Sequence, residues 1–203
     1  PYIDALFTAA TSTCVTGLVT VSTASAWSAF GQTVILVLIQ IGGIGVVTVM
    51  IAFMLMLNRR IGMTDRLLIQ DAFNLNTLSG LVRVVKKVLL GTLIDEGVGA
   101  ALYMTVFVPK FGARGIWISV FNAVSAFCNA GMDIIGENSL CDYAADSVVN
   151  LTTAALVIIG GLGYIVWWDI LRVLRMKRDG RYKLFASLTL HSKIALCSTA
   201  FLI

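Results

Sequence analysis

Charge is what this sequence has least of. Of its 203 residues, 13% are Asp, Glu, Lys or Arg, against 58% hydrophobic, and the mean hydropathy is +0.91. A soluble domain carries about 25% charged residues. The polar surface needed to cover a water-soluble core is therefore missing, and the chain belongs in a bilayer. Proline is scarce, with two in the whole chain, which excludes Pro-rich disordered linkers. The single histidine, His191, stands without a catalytic serine partner, and neither a paired-Asp GxGD motif nor HExxH is present. These absences weigh against an intramembrane protease. No Asn-Pro-Ala signature of the water and solute channels occurs either. The four cysteines, Cys14, Cys128, Cys141 and Cys197, form no CxxC pair. Three sit in or beside apolar stretches and read as small buried thiols rather than as a disulfide or metal site.

Long apolar runs are what the chain does have. A membrane helix needs about 20 largely apolar residues. Three stretches qualify: 33–57, 88–108 and 148–171, with a fourth opening near Ile194. With Pro1 at one end and the apolar Phe201-Leu202-Ile203 at the other, we expect a piece of a longer multi-pass chain.

The net charge of +4 does not point to nucleic acid, because thirteen of the fifteen basic residues fall in two stretches. Arg59, Arg60, Arg66, Arg83, Lys86 and Lys87 lie between the first two spans, and Arg172, Arg175, Lys177, Arg178, Arg181, Lys183 and Lys193 follow the third. The positive-inside rule puts both stretches in the cytoplasm. The loop 109–147 is then external. It holds Asp133, Glu137, Asp142 and Asp146 against Lys110 and Arg114. Within it sits a further apolar run, 116–128, too short to cross and forbidden to cross by the parity of the charges. Two readings follow from topology alone: a helix lying flat at the interface, or a re-entrant segment. Irregular backbone at membrane depth needs burial in protein or a watery cavity, which is how selectivity filters are built.

An internal repeat favours the second reading. Phe7-Thr-Ala-Ala-Thr-Ser-Thr-Cys-Val-Thr-Gly17 and Phe121-Asn-Ala-Val-Ser-Ala-Phe-Cys-Asn-Ala-Gly131 share Phe, Ala, Cys and Gly without a gap, at an offset of 114. Downstream, Leu38-Ile-Gln-Ile-Gly-Gly-Ile-Gly45 matches Leu156-Val-Ile-Ile-Gly-Gly-Leu-Gly163, at an offset of 118. The repeating unit is an M1 span, a short pore helix, a glycine-ended filter loop, an M2 span and a basic tail. We expect an all-α integral membrane protein of such M1–pore helix–filter–M2 units, potassium-channel-like. The divisions expected are 1–83 for the end of one unit, 84–183 for the next, and 184–203 for the start of a third M1.

Potassium sheds its water only when ringed by oxygens that replace the hydration shell, and backbone carbonyls do this without a fixed charge. Several carbonyls can face one side only where a residue takes dihedrals that suit glycine. The candidate ion-facing residues are therefore Cys14, Val15, Thr16 and Gly17 with Cys128, Asn129, Ala130 and Gly131. Thr11, Ser12, Thr13 and Ser125 are candidates to support the loops from behind, and Asp133 to make the outer vestibule negative.

The runs Asp4-Ala-Leu-Phe-Thr-Ala and Val15-Thr-Gly-Leu18, with Ile39-Gln-Ile-Gly-Gly-Ile-Gly45, Phe127-Cys-Asn-Ala-Gly-Met132, Glu137-Asn-Ser-Leu140, Ile159-Gly-Gly-Leu-Gly163 and Leu190-His-Ser-Lys193, carry a family likeness. In this order they resemble the Trk/Ktr/HKT potassium transporter superfamily, closest to the Ktr-type membrane subunit. The resemblance implies four repeats around one pore, homodimers, and a cytosolic nucleotide-binding regulatory ring docked on the side of the basic stretches 58–87 and 172–193. It implies potassium uptake across the bacterial inner (plasma) membrane, with potassium as the transported ion at the filter carbonyls and no organic cofactor. Family filter glycines fall on Gly17 and Gly131. Sodium-preferring plant relatives tend to carry serine at the first, so two glycines favour potassium. A sodium/potassium co-transporter or another re-entrant-loop channel is the alternative.

Asp95 and Glu96 lie mid-span, where a charge must find protein or water. An anchor to a neighbouring repeat and a gate or ion role stay open for them. The glycines 42, 43, 45, 160, 161 and 163 read as close-packing surfaces. Trp117, Trp167 and Trp168 read as interfacial belts.

Overall fold

The computed structural model describes residues 2–45, 48, 49, 53, 81–177 and 187–202. Part of each basic stretch, including Arg59, Arg60, Arg66, Arg178, Arg181 and Lys183, lies outside the described residues, as does the far end of the first expected span. Every regular element among the described residues is helical. The chain divides into two compact units, Pro1–Val157 and Ile158–Ile203.

The first unit opens with α1 (Tyr2–Thr13), which is inside-out by the standards of a soluble protein: it buries Thr8, Thr11 and Ser12 and exposes Tyr2, Ile3 and Leu6. At 1.5 Å per residue, its 12 residues span about 18 Å, short of the ~30 Å hydrocarbon core. After the single turn α2 (Thr23–Ala26), α3 (Ala29–Ile44) begins at an N-cap where the Ser28 hydroxyl accepts from the Gly31 N–H. It starts four residues before the expected span and ends at Gly45, whose φ is +90°.

The longest helix, α4 (Leu81–Phe111), contains the expected span 88–108. Its segment Val85–Phe111 is long and apolar enough to cross a membrane. Leu90, Leu93, Ile94 and Val98 face outward, whereas Thr92 and Glu96 are buried. Polar-in, apolar-out is the pattern of a lipid-facing helix. The stop expected at Pro109-Lys110 is overrun to Phe111. The Gly112 N–H still closes a turn on the Val108 carbonyl at 2.8 Å, and Gly112, with φ +59°, then ends the helix.

Helix α5 (Ala113–Phe127) follows at once and packs along α4. Gly115 makes this reversal possible, because a Cβ there would collide with the Phe107 carbonyl. By its last turns α5 has come back level with the middle of α4, where Val120 and Val124 share a cleft with Glu96 and Ala100. Ten of its fifteen residues are buried. A helix lying flat on a bilayer would leave one face to solvent, so this burial goes against the interfacial reading. A 3₁₀ turn (Ser139–Tyr143) then leads to α6 (Ser147–Leu162). Tyr103 stacks on Phe107 at 5.7 Å, and Tyr143 meets Phe107 edge-on at 5.1 Å.

In the second unit, the expected continuous span 148–171 is interrupted. Gly163, with φ +76°, separates the end of α6 from α7 (Tyr164–Lys177). The break repeats that at Gly45. The Gly45 N–H donates to the Gly42 carbonyl at 3.2 Å and the Gly163 N–H to the Gly160 carbonyl at 3.3 Å. Among the described residues nothing lies within 4 Å of where the side chains of these last glycines of the two GGxG runs would be. The two glycines are there for backbone conformation. Helix α7 packs on α8 (Leu190–Leu202) through Asp169. Its Oδ2 accepts from the Thr189 N–H at 2.7 Å and the Thr189 hydroxyl at 2.9 Å, while Arg172 pairs with Oδ1 at 2.6 Å.

Candidate functional site

Helices α1 and α5 end in loops that share their conformation residue by residue. Val15 (φ +54°) and Gly17 (φ +76°) in the first are answered by Asn129 (φ +59°) and Gly131 (φ +68°) in the second. Each pair keeps the sequence offset of 114. Thr16 and Ala130, between them, are not left-handed. In ordinary extended chain, carbonyls alternate sides. Reversing the sign of φ at every second residue turns successive peptide planes so that their oxygens can gather on one side.

The same offset governs how the loops are tied. The Thr16 N–H donates to the Thr11 carbonyl at 3.0 Å, and the Ala130 N–H to the Ser125 carbonyl at 2.8 Å. The Thr11 hydroxyl accepts from the Leu18 N–H at 3.1 Å, and the Ser125 hydroxyl from the Met132 N–H at 2.9 Å. Thr11 also bonds the Thr16 hydroxyl at 2.5 Å. Ser12 and Thr13 are placed differently. Their hydroxyls donate back to the Thr8 and Ala9 carbonyls at 2.6 and 2.8 Å. Ser12 also reaches the Met132 sulfur at 3.6 Å, joining the base of the first loop to the end of the second.

The two loops meet. A side chain at Gly17 would collide with the Ala130 carbonyl oxygen, and Gly131 Cα lies 3.8 Å from the same point. Gly131 itself faces open space. Of the four cysteines only Cys128 is buried. The expectation of buried thiols at three of them is corrected: Cys14, for one, lies where the chain leaves α1, at the loop surface.

Outside the loops, Val19–Thr23 and Gly131–Ser139 enclose a cleft of about 230 Å³ that contains Asp133 and Glu137. One Asp133 oxygen accepts from the Ile135 N–H at 3.1 Å, a local turn. Behind the second loop, a cavity of about 290 Å³ is bordered by Asn122, Asn129 and Asp133, and Asn122 is buried with its Nδ2 unpartnered. At the outer end, Lys110 sits 4.2 Å above the Tyr143 ring. Burial, and then the carboxylates of Asp142 and Asp146, push the Tyr143 phenol above its usual range.

The mid-span acids differ in their surroundings. Glu96 is buried and accepts from Gln40 Nε2, a link between α4 and α3. Asp95 is half-buried. Trp117, expected as a belt residue, donates to Gln32 Oε1 at 3.0 Å. Gln32 in turn donates to the Trp27 carbonyl at 3.3 Å.

Residues 1–202 match the TrkH model, described as cation transport protein. The chain belongs to the TrkH family. It is 42% identical over 203 residues to the potassium/sodium uptake protein NtpJ of Enterococcus hirae, covering all of this chain and 43% of that protein. It is 40% identical over 202 residues to the Ktr system potassium uptake protein B of Bacillus subtilis, covering 99% of this chain and 43% of the relative. Over 201 residues it is 33% identical to the protein of the same name from Vibrio alginolyticus, covering 98% and 42%. This TrkH chain thus spans less than half the length of these relatives. It is a Trk/Ktr-type membrane sequence, which agrees with the lipid-facing surface of α4.

Sequence reading missed three features of this TrkH chain: the left-handed Val15 and Asn129, the tie from Ser12 to Met132, and the unpartnered Asn122. The first had a signal, since both residues stand at one position of the repeat. The other two had none.

Proposed function

We propose that the chain forms part of a pore for potassium uptake, and that the carbonyls of residues 14–17 and 128–131 line its selectivity filter. The observation that carries this reading is the paired left-handed geometry of Val15 and Gly17 with Asn129 and Gly131. Two unrelated loops would not share that pattern at one sequence offset. Thr11 and Ser125 hold the loops from behind. Ser12 and Thr13 stiffen the end of α1, and Asp133 contributes negative potential at the mouth, which concentrates cations. Transport needs no chemical step: dehydration is offset by carbonyl oxygens, and the absence of fixed charge at the filter lets the ion leave.

In this reading 1–83, 84–183 and 184–203 are parts of three successive M1–pore helix–filter–M2 repeats. Further repeats of the same polypeptide complete the ring. The whole is a multi-pass protein of the bacterial plasma membrane, a transporter rather than an enzyme. It pairs as a homodimer in the lipid bilayer, takes a cytosolic nucleotide-binding ring as regulator, and has no business with nucleic acid. A relative named as a potassium/sodium uptake protein makes sodium the second candidate ion.

Flux into proteoliposomes holding the full-length protein tests this. Uptake of potassium and rubidium well above sodium is expected. Equal sodium and potassium uptake would move the reading to the sodium/potassium alternative, and water flux without ions would overturn both.

A further inference from the structure

In α3 the adjacent glycines 42 and 43 touch one loop each. A Cβ at Gly42 would collide with the Thr13 carbonyl oxygen and lie 2.8 Å from Val15 Cγ2. A Cβ at Gly43 would run into Cys128, 2.5 Å from its Cβ and 3.2 Å from its Cα. Real Cβ atoms do not approach within 3 Å, and besides Cys128 Sγ, the nearest atom to Gly43, the obstacles include a main-chain carbonyl and the root of the Cys128 side chain. Gly43 follows the first loop in sequence yet abuts the second.

Side-chain bonds to two neighbouring helices oppose recession of α3. Gln40, one turn before Gly43 and on the same face, is bonded to Glu96 of α4. Gln32 is bonded to Trp117 of α5. A methyl at Gly43 would therefore be accommodated by moving the root of Cys128, where the second loop leaves α5.

We propose that Gly42 and Gly43 are positioning residues that set the separation of the two loops, Gly42 acting on the first and Gly43 on the second. The inference rests on the reading of these loops as an ion filter. Neither glycine touches the ion; each acts through the backbone it abuts.

The test is made on the full-length protein in proteoliposomes, with KM for potassium and the potassium/sodium uptake ratio as readouts. Gly43→Ala is expected to change the ratio at least five-fold and to raise KM. Cys128→Gly removes the Cβ and Sγ that the new methyl would strike. The Gly43→Ala/Cys128→Gly double variant should therefore return to the ratio of Cys128→Gly alone, while Gly42→Ala gains nothing from Cys128→Gly. If Gly43→Ala does not fold, recovery of folded, selective protein in the double variant supports the proposal, and failure of the double variant as well overturns it. Parental ratio and KM in Gly43→Ala also overturn it. Gly131→Ser separates the two levels. Should it leave selectivity intact, the filter reading itself fails; should it alter selectivity while Gly43→Ala does not, only the positioning role fails.

Discussion

Gln40 donates its amide to both carboxylate oxygens of Glu96, at 2.9 and 3.1 Å. The contact joins α3 to α4 at the middle of the apolar segment Val85–Phe111, where a lone carboxylate would have few ways to stay. The geometry shows Glu96 as an anchor between α3 and α4.

Gln40→Leu is expected to harm the full-length protein more than Glu96→Gln. The first strips a buried carboxyl group of its partner, and leaving a buried polar group unsatisfied costs about 1–3 kcal/mol. The second keeps an amide–amide bond. Thermal unfolding in detergent should rank them so, with ion preference retained in whatever folds. Normal melting with altered ion preference would place Glu96 in the pore.

Replacing Gly17 should cost more than replacing Gly131. Both are left-handed, which penalises a side chain by about 1–2 kcal/mol, but only Gly17 has a carbonyl in the way. Gly131→Ser is expected to express and weaken potassium over sodium selectivity. Gly17→Ser should also lose folded yield. Size-exclusion profiles and competition uptake distinguish the two.

Thr11→Val and Ser125→Ala each orphan a backbone N–H, of Leu18 and Met132. The Met132 N–H is buried, where an unsatisfied donor costs about 1–3 kcal/mol, whereas Leu18 is exposed and its loss should be smaller. Both should lower the melting temperature and raise KM for potassium, and Thr11→Ser should restore both. An unchanged KM would make these hydroxyls irrelevant to the loops' shape.

Asp169→Ala removes the acceptor for both the Thr189 N–H and hydroxyl and leaves Arg172 without its partner. A hydrogen bond to a charged group is worth about 1.5–3 kcal/mol, so a lower melting temperature is expected. Asp169→Asn keeps an acceptor and should lie between. Equal melting of all three forms would count against the clamp.

Much of this was legible in the sequence because membrane topology is written in gross quantities: length of apolar run, sign of flanking charge. The stretch 88–108 gave α4, and 116–128 gave a helix too short to cross, confirmed as α5. The offset of 114 in the repeat pairs the residues of the two loops, as their shared left-handed positions do in the structure. What escaped were features set by tertiary contact or local dihedral. Gly42 and Gly45 look alike in sequence, yet one is pressed against Thr13 and the other ends a helix in open space. The break at Gly163 was invisible for the same reason, because hydropathy carries across it unchanged. Thr11 and Thr13 differ by two residues, and only the fold decides that one hydroxyl reaches forward to Leu18 and the other back to Ala9.

Val15 and Asn129 hold one backbone shape at unequal expense. Asparagine settles into left-handed dihedrals readily, whereas a β-branched valine resists them. The first loop is consequently the less resilient half of the pair, kept in form by its threonines rather than by its own preference. As temperature rises, it is the half that should give way first, with its partner still intact.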